Sequence, residues 1–155
     1  MEVVFAHEAL ADCFAECDAL MHDYYDTTIA SKDVPPLDFN WPFYLSLEHN
    51  KQIVLVTARV GTELAGLVFY IVSLHPQYKT VKMAVCNTLG VRPKHRRMGI
   101  ARGLMSAAEP LLIANGVSRV MHTYRMVYEH EAEPLFPKLG YSLYEQVYSK
   151  DLSAH

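Results

Sequence analysis

The sequence predicts a mixed α/β (α+β) domain on one central, mostly antiparallel sheet flanked by helices, ordered strand, two helices, three strands, helix, strand, helix, strand. Two β-branched and apolar runs, Gln52 to Val60 and Leu64 to Leu74, are joined by the hairpin signal Gly61-Thr-Glu63. Segments with helical periodicity lie on both sides of that hairpin. An alternating segment, Ala84 to Val91, then runs through a basic turn directly into a helix: Pro93 stops the strand, and apolar residues recur at Ile100, Leu104, Ala108, Leu111 and Leu112.

Taken in order, Glu2 to Ala6 is short and β-prone. His7 to Tyr25 carries Leu10, Phe14, Cys17 and Met21 at three- and four-residue intervals, which make one helical face. Thr27 to Pro36 is polar with a double proline and reads as a loop; Phe39 to Asn50 follows as a second helix with Pro42 in its first turn. After the hairpin, Lys79 to Val91 is the third strand of this sheet. The next helix ends at the Asn115-Gly116 cap, with Pro110 expected to kink its last turn. Ser118 to Met126 reads as a strand, Glu129 to Leu139 as a helix, and Ser142 to Ser149 as a closing strand.

A chain of 155 residues suits a single domain spanning 1–155, long enough to build one core. At 51% hydrophobic and 20% charged residues it is an ordinary globular sequence, not a disordered one. The formal charge of −3 argues against a dedicated nucleic-acid binder, although Arg92, Lys94, Arg96, Arg97 and Arg102 cluster. Cys13, Cys17 and Cys86 form no C-x-x-C pair and fit reduced thiols in the cytoplasm. Cys13 and Cys17, one helical turn apart, are more often small buried thiols than a metal or redox pair. His7, His22, His49, His75, His95, His130 and His155 are scattered without metal-ligand spacing, so no metal is expected. No apolar run reaches membrane-spanning length, and the N-terminus is interrupted by Glu2, His7 and Glu8; no membrane association is expected.

The turn from Val91 to Arg102 is the strongest chemical signal. It delivers a helix N-terminus whose unpaired backbone N–H groups, around Met98 to Ala101, carry partial positive charge. Arg96, Arg97 and Arg102 add full charges, and Gly99 leaves room for a diphosphate to approach the backbone. Neither a P-loop nor a dinucleotide fingerprint is present. The alternative is a solvated basic turn that merely caps a helix.

Arg96-Arg-Met-Gly99-Ile-Ala101 matches the (Gln/Arg)-x-x-Gly-x-(Gly/Ala) signature of GNAT-type N-acetyltransferases, with Leu89-Gly-Val91-Arg-Pro93 as its lead-in. Glu133 to Tyr141 resembles that family's last helix and Leu-Gly-(Phe/Tyr) turn. Lys32-Asp-Val-Pro35-Pro-Leu37 and the turn from Pro76 to Tyr78 resemble a phage and prophage branch of the superfamily. The resemblance implies a sheet with parted middle strands and acetyl-CoA as cosubstrate. Leu89 and Val91 would then hold the acetyl and pantetheine arms through their backbone, and Arg96, Arg97, Met98, Gly99, Ile100, Ala101 and Arg102 the diphosphate. The implied reaction is direct attack of a primary amine, on a small molecule or on a protein lysine or N-terminus, in a ternary complex.

Departures from the family pattern bear on mechanism. Phe136 stands where many members place a tyrosine acid, and Val81 to Arg92 holds no carboxylate for a base. His122 and Tyr124 alternate on the strand after the long helix, at positions usually aliphatic in the family, and are the first candidates for proton handling. A hydrogen-bonded core histidine and a core tyrosine are the equally weighted alternative. Glu129 is a lesser candidate, since an acid at a helix start often serves only the dipole. Asp23, Asp26, Asp33 and Asp38 hint at a cationic acceptor, with His22 to Asp26 as one wall of its pocket. A non-catalytic acyl-CoA-binding module is the rival reading, and the aromatic strand with Tyr141, Tyr144 and Tyr148 offers an edge for a homodimer.

Overall fold

A computed structural model describes residues 2–28, 36–123 and 135–153. Most of the loop before Pro36 lies outside the described residues, as do Tyr124, Glu129 and the first half of the helix expected from Glu129. The chain forms two compact units, Met1–Thr123 and Tyr124–His155.

The first unit runs β1 (Val3–His7), α1 (Leu10–Thr28), α2 (Trp41–His49), β2 (Ile53–Val60), β3 (Glu63–Leu74), β4 (Lys82–Val91), a 3₁₀ turn (Pro93–His95), α3 (Ile100–Ala114) and β5 (Arg119–His122). The strands lie side by side in chain order, antiparallel from β1 to β4, with β5 parallel to β4. The single parallel step follows from α3, which carries the chain back across the sheet as a parallel crossover requires. Both faces of the sheet are covered, so β2 and β3 are buried almost continuously instead of alternating. Val54, Val56, Val68, Tyr70, Ala84 and Cys86 pack under Ile100, Leu104 and Leu112 of α3. Leu55, Leu67 and Phe69 pack on the other face against Leu10, Cys17 and Leu20 of α1.

Helix ends are satisfied by partners near and far. Asn40 caps α2 through its side chain, which accepts from Phe43 N, and Pro42 sits in the first turn as expected. The start of α1 is capped from another helix: Glu48 of α2 accepts from Leu10 N at 2.6 Å and Ala11 N at 3.0 Å. Trp41 Nε1 donates to Asp18 Oδ1 at 2.8 Å and ties the two helices together. α3 continues through Pro110, and the Ser106 carbonyl that loses its donor lies on the exposed face, where water can serve it.

The second unit contains α4 (Leu135–Lys138), closed by a turn at Gly140 in which Tyr141 N donates to Phe136 O at 3.0 Å. The closing strand expected from Ser142 to Ser149 is not formed: residues 141–150 carry no regular structure. A strand exists only through a paired neighbour, and no described segment pairs with this one. Leu143, Val147 and Tyr148 are largely exposed along it.

Candidate active site

The decisive local feature is a bulge. β3 and β4 pair Phe69 with Thr88 but Tyr70 with Cys86, so Asn87 is an extra residue without an opposite number. The bulge reverses which side chains face α3: Ala84 and Cys86 do so before it, Leu89 and Val91 after it. It falls directly after the last described pair between β4 and β5, Cys86 with His122. From Asn87 to Val91 the edge of β4 away from β3 has no partner strand among the described residues. Leu89 and Val91 lie on this stretch, their side chains packed against the core under α3 and their backbone at the edge.

At the end of that edge stands the basic turn. Arg92 is committed to structure: its Nε donates to Leu64 O at 2.8 Å and its Nη1 meets Asp23 at 3.1 Å. Glu63 gathers Lys94 at 2.8 Å and the buried His95 at 2.9 Å, and these two partners, Lys94 first, hold its carboxyl down at about 2. Two of the five clustered cations and one aspartate are thereby paired within the protein. Arg96 lies over the Tyr24 ring, 5.8 Å from its centroid. Arg97, Met98, Gly99 and Arg102 are exposed, while Ile100 anchors the helix in the core and Ala101 is half-buried.

Arg97 and Gly99 both take positive φ, 66° and 73°. For arginine this is a rare conformation, held here by the surrounding turn. Gly99 is the N-cap of α3 and offers no capping side chain, so the first-turn N–H groups of Ile100, Ala101 and Arg102 emerge from the helix without an intrahelical acceptor. A Cβ built at Gly99 would meet nothing within 4 Å. Open space at Gly99, a helix start and exposed guanidinium groups fit a diphosphate.

Among the described residues, His122 ends β5. Its Nε2 lies 2.9 Å from Tyr70 Oη, and the rings meet edge to face at 5.4 Å. Burial pushes the imidazole down to about 4, so it is neutral near pH 7. Cys86, also under α3, is pushed up to about 12 by burial and stays a thiol. On the opposite face Tyr44 Oη donates to Asn87 Oδ1 at 3.0 Å, and burial raises the phenol, keeping it a donor. Beyond Tyr44 a groove of about 380 Å³ is lined by Phe14, Asp18, His22, Asp38, Phe39 and Trp41.

Asn87, Tyr70 and Tyr44 were not singled out by sequence reasoning. The bulge left a legible sign, because the apolar alternation of Ala84 and Cys86 loses step before Leu89 and Val91. Tyr70 left none, being one more apolar residue in a buried strand.

The model of the acetyltransferase (GNAT) family matches residues 14–141. The chain belongs to that family. This N-acetyltransferase matches no curated protein. It is similar to solved structures at identities that establish the fold alone. One is an aminoglycoside acetyltransferase from an uncultured soil metagenomic sample, solved in complex with trehalose (TM-score 0.74, 16% identity, covering 99% of this chain and 97% of that one). Another is a ribosomal-protein-alanine N-acetyltransferase from Brucella melitensis biovar Abortus 2308 (TM-score 0.76, 18% identity, 99% of both chains). A third is a glucosamine-6-phosphate N-acetyltransferase from Arabidopsis thaliana (TM-score 0.71, 11% identity, 99% and 100%). Members of the family use acetyl-CoA, and among the described residues of this acetyltransferase no group of three or more His, Cys, Asp or Glu is placed to hold a metal. No described helix is long and apolar enough to cross a membrane.

Proposed function

We propose that this acetyltransferase moves an acetyl group from acetyl-CoA to a primary amine by direct attack in a ternary complex. The open, uncapped start of α3 at Gly99, at the end of the unpaired edge of β4, carries this reading. In the reaction the amine nitrogen bonds to the thioester carbonyl carbon, the C–S bond breaks, the amine sheds a proton and the thiolate takes one up. The chain's part is positioning and proton handling. First-turn N–H groups of α3 with Arg97 and Arg102 hold the diphosphate, and Arg96 closes the cradle toward α1. Backbone groups of Leu89 and Val91 align the acyl arm.

His122, already neutral, accepts a proton without first losing one, with Tyr124 as donor to the thiolate and Glu129 as the secondary candidate. A base with a conjugate acid near 4 is weak, so its acidic limb in kcat/KM falls near pH 4 and not near 6.5. The groove with Asp18, Asp38, Phe39 and Trp41 supports a cationic acceptor, a small-molecule amine or a protein lysine or N-terminus. Three buried free thiols suit the cytoplasm.

Calorimetry with acetyl-CoA tests the cradle. Arg97→Ala with Arg102→Ala should weaken binding about tenfold or more, from two lost charge-assisted contacts. Undiminished affinity in the folded double variant refutes the site. Release of free CoA thiol with a panel of cationic amines and lysine peptides then tests the reaction; tight binding without transfer to any of them makes the chain an acyl-CoA-binding module instead.

A further inference from the structure

Tyr70, Cys86 and His122 stand in one row across three strands, because β3 and β4 pair Tyr70 with Cys86 while β4 and β5 pair Cys86 with His122. Strands β3 and β5 are not neighbours in the sheet. The Tyr70 hydroxyl nevertheless meets His122 Nε2 at 2.9 Å, passing above β4. Cys86 makes this possible: a small side chain lies under the arch where the valines and leucines common elsewhere in this sheet would stand in its path. Tyr70 is 1% exposed, so its hydroxyl needs a partner inside the protein, and a ring nitrogen of His122 supplies it. Among the described residues the row is also the last in which β4 and β5 are matched, and the Asn87 bulge follows at once.

We propose that Tyr70 is a positioning residue: its bond across β4 to His122 pins the end of β5 beside the edge of β4 along which the acyl arm would lie. The inference rests on the acetyl-CoA reading. Tyr70 does not meet the ligand; it acts through His122. The clasp adds to the four matched pairs between β5 and β4, at the end of the described pairing where fraying starts. A frayed end samples several positions beside the β4 edge, and the fraction competent to bind acetyl-CoA falls accordingly.

The test combines two measurements on wild type, Tyr70→Phe, His122→Phe and His122→Gln. Tyr70→Phe leaves the ring in the core and deletes one hydrogen bond, which should weaken acetyl-CoA affinity about three- to tenfold in calorimetry. His122→Phe should do the same. His122→Gln places an amide within reach of the same hydroxyl and should retain wild-type affinity, whatever it does to turnover. Affinity within twofold of wild type in folded Tyr70→Phe overturns the inference, even if its melting temperature falls. Loss of affinity in His122→Gln equal to that in His122→Phe overturns it as well.

Hydrogen exchange at the amides of Met121 to Thr123 reads the clasp with no ligand present. It should quicken at least threefold in Tyr70→Phe and recover in His122→Gln; equal rates in all variants refute the clasp. Wild type that fails to bind acetyl-CoA sinks the functional reading, and exchange still decides the clasp.

Discussion

Acid should destabilise the first unit through His122 before it reaches the carboxylates that are held low by their partners. Burial lowers this imidazole from its ordinary 6.5 to about 4. The native protein therefore binds its proton less readily than the unfolded chain does, and stability rises with pH wherever the two states differ in bound protons. The contribution is fully present above about 6.5 and is lost as the pH falls toward 4. Each unit of separation corresponds to about 1.4 kcal/mol. Between pH 7.5 and 4.5 the loss works out at about 2.5 kcal/mol, a large share of the stability of a small domain. The carboxylates held low by partners, Glu8 and Glu16 by Arg59 and Glu63 by Lys94 and His95, start from 4.5 and add their own losses as the pH approaches and passes that value, alike in wild type and variant. Urea unfolding followed by circular dichroism at half-unit steps from pH 7.5 to 4.5 gives the slope. In His122→Gln, which has no titrating group at this site, the slope over that range should shrink by about the same amount. An unchanged slope in the variant means that the imidazole titrates alike in both states, and the argument from burial fails.

Glu48→Ala should cost about 1–2 kcal/mol, since it uncaps Leu10 N and Ala11 N at the start of α1; a melting temperature within a degree of wild type contradicts this. Gly66→Ala places a Cβ 2.8 Å from Ile100 Cγ2 and 3.1 Å from the Gly90 carbonyl, and should cost about 1–3 kcal/mol by overpacking. Because Ile100 is the first residue of α3, acetyl-CoA affinity should fall with stability in that variant; a destabilised protein with intact affinity would show that the cradle tolerates displacement of α3. Gly99→Ala meets no neighbour, so it should cost only the left-handed backbone, about 1 kcal/mol, as read by chemical denaturation.

The sequence made the strand and helix order of the first unit legible to within a few residues, because its signals are local. The Gly61-Thr-Glu63 hairpin, Pro42 in a first turn and the Asn115-Gly116 cap each act through their own backbone. The start of α3 at Gly99 was legible for the same reason, the glycine and its neighbouring arginines being contiguous. What was not legible is relational. Five clustered cations look alike in the sequence, yet Glu63 and Asp23, distant in the chain, decide that Arg92 and Lys94 serve the fold and leave Arg97 and Arg102 exposed. The expected closing strand shows the converse: an alternating run such as Ser142 to Ser149 states a capacity to pair, and pairing also needs a neighbour that the run itself cannot specify.

His122 unites both cases. Its place on a strand after the long helix could be read from periodicity, but its chemistry depends on a tyrosine 52 residues earlier and on the size of Cys86 between them. A histidine with this geometry is held first as a structural partner and only second as a base. The two roles part in the variants already named. His122→Gln keeps the bond to Tyr70 and removes the titrating group, so a loss of about 10²- to 10⁴-fold in kcat with unchanged acetyl-CoA affinity assigns the proton to His122. Tyr70→Phe keeps the imidazole and removes the clasp, so it should raise the KM for acetyl-CoA and leave the acidic limb of kcat in place. A His122→Gln enzyme with wild-type kcat would leave the clasp intact and pass the proton-handling role to Glu129 or to a water chain reaching bulk solvent.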